Sequence, residues 1–151
     1  MTAVADASRL EMRLVELAGR AIPTPSPHLG VDAVDVDAFA RKLDAGGPRL
    51  AGRWFTRAEI SFAAGDGERL AATFAGKEAV AKVLGTGIRG GVRWRHIEIP
   101  RRPDGAPFVL LFEAARRRAD VLAIDHVAIS LCHEPPMAIA IASAVPAQGS
   151  P

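Results

Sequence analysis

The chain has one cysteine, Cys132, no tyrosine, and only six phenylalanines and two tryptophans among its 151 residues. A single thiol excludes an internal disulfide framework and a zinc site built from several cysteines, and it fits a reducing compartment, so the expected location is the cytoplasm. No apolar run approaches the roughly 20 residues that a membrane-spanning helix needs. The amino terminus lacks the basic stretch and apolar core of a secretory signal, and Asp6, Glu11 and Glu16 interrupt its arginines in a way a transit peptide does not. Charge of one sign is scarce as well, with a formal net charge of +2. That balance gives no whole-protein field directed at nucleic acid, but it leaves room for a local basic face that meets an acidic protein. Neither a membrane nor a nucleic acid is expected as a partner.

What is present describes one ordinary soluble domain: 49% of residues are hydrophobic and 24% charged. Residues 3–22 carry Leu10, Leu14, Leu17 and Ala18 on one stripe and read as an amphipathic helix, which Pro23, Pro25 and Pro27 end. Residues 1–27 are therefore an appendage, residues 28–145 the domain, and residues 146–151 a frayed tail. The β-branched run 28–36 reads as a strand, and Asp37 is placed to cap a short helix through Leu43. Gly46-Gly-Pro48 breaks the chain. Thr56 with Glu59 three residues on forms a capping-box pattern for a second short helix, and the main helix covers residues 66–84. Strands at 92–100 and 107–112 flank the Pro103-Asp-Gly105 turn, a helix with an arginine-rich face covers 114–122, and two strands at 126–132 and 137–144 close the domain. The expected fold is α+β, a small antiparallel sheet packed on one long helix. No internal repeat is present.

Several residues could carry chemistry. Strand alternation puts Asp32 on the apolar face with Val34 and Val36, where a carboxylate must be hydrogen-bonded, paired or bound to a metal. Asp35 points the other way and is read as solvated or structural. Asp32, Asp35 and Asp37 do not have the spacing of an EF-hand loop. Glu78 and Lys82 sit one turn apart on the main helix; alone, such a pair is usually a surface contact of about 0.2–0.5 kcal/mol. Gly85-Thr-Gly-Ile-Arg-Gly90 matches G-x-G-x-x-G but follows a helix and precedes a strand, the reverse of a dinucleotide site, and no Gly-Lys-Ser/Thr makes it a Walker loop. It remains either a helix C-cap or a loop whose amides, with Arg89, approach phosphate. Cys132 is read as core, and it does not pair catalytically with His133, because strand neighbours point to opposite faces.

Taken in order, these pieces resemble the holo-acyl-carrier-protein synthase type of 4′-phosphopantetheinyl transferase. The resemblance rests on Gly30-Val-Asp32, on Phe55-Thr56 with Glu59, and above all on Phe74-Ala-Gly-Lys-Glu-Ala-Val-Ala-Lys82. Gly85-Thr86-Gly87, Gly105-x-Pro107 and Ser130-Leu-Cys-His133 continue it, so that it covers about residues 28–145. The resemblance implies transfer of the phosphopantetheine arm of coenzyme A to a serine of an apo acyl or peptidyl carrier protein, with release of adenosine 3′,5′-bisphosphate. It implies Asp32, Glu78 and Lys82 as catalytic residues, with Asp32 and Glu78 holding Mg²⁺, an ion that suits few carboxylates. It implies that Lys82, Gly85, Thr86, Gly87 and His133 bind the cofactor, that a metal-activated water or Glu78 takes the serine proton, and that the assembly is a homotrimer with sites shared between chains. Two positions depart from the pattern: Ala38 and Thr73 stand where arginines are frequent. Arg41, Lys42 and Arg53 are expected to offer the acidic carrier a substitute basic face. The two departures motivate an alternative, a non-catalytic module that binds coenzyme A or a carrier protein with the same fold.

Overall fold

A computed structural model describes residues 27–147. The expected amino-terminal helix and most of its linker, like residues 148–151, lie outside the described residues. In chain order the elements are β1 (His28–Asp35), α1 (Val36–Trp54), α2 (Arg57–Ala63), α3 (Gly67–Val83), β2 (Ile97–Glu98), β3 (Leu110–Leu111), α4 (Glu113–Val121), β4 (Ala128–Glu134) and β5 (Met137–Ala144). The three longer strands form an antiparallel sheet in the order β1-β5-β4, and β2 pairs with β3 in a separate short ribbon. This is the expected α+β arrangement, with α3 lying on one face of the three-stranded sheet.

Small residues make that packing possible. Ala71, Ala72, Ala75, Gly76, Ala79 and Ala81 are all buried, so α3 has no polar stripe over its middle turns and sits in the core. Two glycines set the closest approaches. A Cβ on Gly30 would lie 2.0 Å from the Ala79 carbonyl oxygen, and one on Gly76 would lie 2.6 Å from the Ile99 side chain and 2.9 Å from that of Leu131. The sheet therefore rests almost on the helix backbone. Asp66 starts α3 by accepting hydrogen bonds from the amides of Glu68 and Arg69.

Elsewhere the structure corrects the sequence reading. Asp35, not Asp37, caps α1, accepting from the Ala38 amide at 2.7 Å. Pairing with β5 ends at Asp35–Met137, and the Val36 amide donates to the Pro136 carbonyl, so the helix begins at once. The Gly-Gly-Pro break is a kink at Gly47 (φ 57°), after which Pro48 opens a further helical segment as far as Trp54. The expected hairpin keeps its turn, with Gly105 N donating to Arg102 O, but its ladder is short, and Pro100 and Pro107 have no amide to donate to it. Cys132 is exposed rather than core: Ile129 and Leu131 face α3, and alternation turns Cys132 outward. Of the tail residues that are described, Ala147 donates its amide to the Ala123 carbonyl at 2.7 Å. Among the described residues no helix is long and apolar enough to cross a membrane.

Candidate active site

Gly30 explains where Asp32 goes. Because the strand touches α3 at Gly30, the next residue on the same face, Asp32, meets the last turns of the helix. The Lys82 ammonium donates to Asp32 Oδ1 at 2.8 Å and to the Val31 carbonyl at 2.6 Å. Asp32 is thus paired rather than stranded, and Lys82 is tied to β1 and does not pair with Glu78. Glu78, one turn back, instead accepts a hydrogen bond from the Trp94 indole at 2.7 Å. Asp32 and Glu78 nevertheless line one cleft of about 420 Å³, walled by Phe39, Trp54 and Phe74 and entered by Lys42.

Glu78 also belongs to a second cleft of about 600 Å³, lined by Lys82, Thr86, Ile88, Arg89 and the two glycines of the turn. One carboxylate therefore stands where an aromatic-walled cleft meets a basic one. The turn closes α3 just past its C-cap, Leu84: the Gly85 amide donates to Lys82 O and the Gly87 amide to Ala81 O, with both glycines at positive φ. Those two amides are committed to α3 carbonyls, which leaves Lys82 and Arg89 as the cations facing the second cleft. Arg118 from α4 donates to the Leu84 carbonyl at 2.9 Å and braces the same helix end, a contact without any short-range sequence signal.

His133 is not brought to this group. It lies 3.2 Å from Glu68 in the first turn of α3. Glu68 and Lys82 are separated by nearly the whole helix, about 20 Å at about 1.5 Å per residue. Ala38 lines the aromatic cleft, and Lys42, one turn on, does too. Thr73 is 5% exposed and returns its hydroxyl to the Arg69 carbonyl, so no charge comes from that position.

Sequence reasoning missed the buried support beneath. Lys77 Nζ lies 2.7 Å from Glu59 Oε2, with both side chains essentially inaccessible. Burial pushes the Lys77 ammonium down from its ordinary pKa, and Glu59 pulls it back up. Glu59 fulfils the expected capping box, accepting from the Thr56 amide, but its other oxygen accepts from Ile99 N at 2.9 Å, which ties α2, α3 and the hairpin together.

Residues 28–140 match the 4′-phosphopantetheinyl transferase superfamily. The chain belongs to that family. The holo-[acyl-carrier-protein] synthase of Shewanella amazonensis is 42% identical over 117 residues, spanning 76% of this chain and 94% of that protein. Among solved structures, the holo-[acyl-carrier-protein] synthase of Neisseria meningitidis superposes with a TM-score of 0.71 at 32% identity, covering 78% of this chain and 96% of that one. The enzyme of Helicobacter pylori, solved in complex with coenzyme A, gives a TM-score of 0.71 at 25% identity over 77% of this chain and 98% of that one. The family resemblance read from the motifs is borne out, and with it the assignment of the chain to the phosphopantetheinyl transferases.

Proposed function

We propose that this phosphopantetheinyl transferase moves the 4′-phosphopantetheine arm from coenzyme A to a serine hydroxyl of an apo acyl or peptidyl carrier protein. The observation that carries the reading is the meeting of Asp32 and Glu78, from a strand and a helix, in one cleft that opens at Glu78 onto Lys82 and Arg89. The serine oxygen bonds to the phosphorus that carries the arm, the bond from that phosphorus to the bridging oxygen breaks, and adenosine 3′,5′-bisphosphate leaves. The serine proton passes to Glu78 or to water.

The donor set fits Mg²⁺. Among the described residues no cluster of three or more His, Cys, Asp or Glu is placed to hold a metal, so the site offers two hard carboxylates and leaves the other positions to phosphate oxygens and water. Asp32 and Glu78 would hold the ion, which when bound neutralises charge on the pyrophosphate. Each carboxylate keeps one oxygen without a hydrogen-bond partner among the described residues, since Lys82 occupies one oxygen of Asp32 and Trp94 one of Glu78. Lys82 would steady the leaving phosphate, and Arg89 would extend that positive surface. Lys42, held 5.4 Å over the Trp54 ring, would supply the charge for an acidic carrier that Ala38 does not.

A trimer completes the reading. The outer face of the three-stranded sheet exposes Leu29, Val31, Ile139 and Ile141, a contiguous apolar patch suited to other copies of the chain. His133 of a neighbouring copy would then be free to reach the basic cleft.

The test incubates the protein with coenzyme A, Mg²⁺ and apo carrier proteins and weighs the carriers. A phosphopantetheine mass gain that EDTA and Glu78→Ala both prevent is the expected result. Coenzyme A binding without transfer to any carrier would instead indicate the binding module.

A further inference from the structure

Lys77 and Glu59 lie in the recognised motifs but line neither cleft next to Glu78. Adjacent residues on a helix point about 100° apart, so Lys77 enters the core where Glu78 enters the site. The two meet again through one residue. Lys77 Nζ donates to the Trp94 carbonyl at 3.1 Å, and the Trp94 indole donates to Glu78 at 2.7 Å. The directions around the ammonium are filled by Glu59 at 2.7 Å, the Trp94 carbonyl, and the Phe55 ring with its centroid 5.6 Å away. The Trp94 ring is held in its turn, stacked on Phe74 at 6.1 Å and tilted against Trp54 at 6.0 Å.

We infer that Trp94 is a positioning residue for Glu78, and that the buried Glu59–Lys77 pair holds Trp94 in place. The inference rests on the proposed role of Glu78 as a metal ligand. A glutamate on a helix has several rotamers, and binding a cation through a free one would cost the entropy of choosing. A donor on one oxygen selects the rotamer beforehand and leaves the second oxygen for the ion. The donor's charge matters equally. An ammonium at Glu78 would cancel the negative charge that attracts the cation, whereas the indole N–H is neutral and orients the carboxylate without discharging it. The lysine on this face, Lys82, is directed to Asp32 and Val31. This gives the paired Phe-Thr-x-x-Glu and Lys-Glu motifs a joint purpose: one provides the buried support, the other the supported carboxylate.

The experiment measures Mn²⁺ binding to the full chain, alone and with coenzyme A but without carrier, from the electron paramagnetic resonance of free Mn²⁺. Trp94→Phe keeps the ring and removes the N–H; Glu78→Gln is the control for the metal reading. The expected result is an affinity about 10-fold weaker in Trp94→Phe and binding lost in Glu78→Gln. If Glu78→Gln loses Mn²⁺ while Trp94→Phe binds it like the unaltered chain, the positioning role is overturned and the metal reading stands. Undiminished binding in both overturns both. A second measurement needs no change at Trp94. With Trp54→Phe, Trp94 is the remaining indole of the two in the chain, and Mn²⁺ should quench its emission when Glu78 is intact and not in Glu78→Gln. Emission indifferent to Mn²⁺ with Glu78 intact would also overturn the role.

Discussion

At the scale of single residues, Gly30 decides more than its size suggests. With its Cβ position 2.0 Å from a backbone oxygen, Gly30→Ala forces β1 away from α3. A loss of about 1–3 kcal/mol is expected in urea unfolding, as for other overpacked sites, together with weaker metal binding because Asp32 moves with the strand. Lys82→Ala should lower the rate of transfer by about 100-fold to 1,000-fold, the scale on which removal of one charge-stabilising donor acts. Steady-state assay of carrier modification measures it, and a loss below about threefold would remove Lys82 from the chemistry.

Elements are where the sequence was partly legible. The long helix, its Asp66 start and its glycine end were readable because cap, length and turn chemistry are local. Asp32 was readable as a residue in need of a partner, since strand parity alone places it on the apolar face. What escaped depends on contacts between segments distant in sequence. Glu59 looked complete as a cap, yet Lys77 and Ile99 use the same carboxylate; Trp94 and Arg118 gave no periodic sign of their partners. The start of α1 at Asp35 rather than Asp37 is not legible because the sequence does not say where β5 stops pairing. Cys132 was misplaced because an apolar run does not announce which of its alternating faces is covered. The Glu59–Lys77 pair yields a prediction at this scale. Lys77→Met leaves a buried carboxylate unpaired and should cost about 3–5 kcal/mol. Adding Glu59→Leu removes the stranded charge and should recover part of that loss in the same unfolding assay.

For the whole molecule, the sheet presents two unlike surfaces. One is covered by α3 and carries Asp32; the other shows Leu29 at 68% and Ile141 at 56% exposure. The trimer proposed above predicts that Ile141→Asp leaves each chain folded but monomeric in light scattering. The same variant should lower transfer if a neighbour's His133 serves the site. A fully active monomer would show that each chain works alone.

Cys132 opens on that outer surface, in register with Ile139 of β5, and is the sole thiol of the sequence. In the trimer proposed above, this thiol would serve as a clock for subunit exchange. A thiol-reactive dye should label it slowly in concentrated protein and quickly on dilution, with the labelling rate limited by how often subunits part. Because the adduct would block reassociation, the reaction would also trap whichever chains had come free.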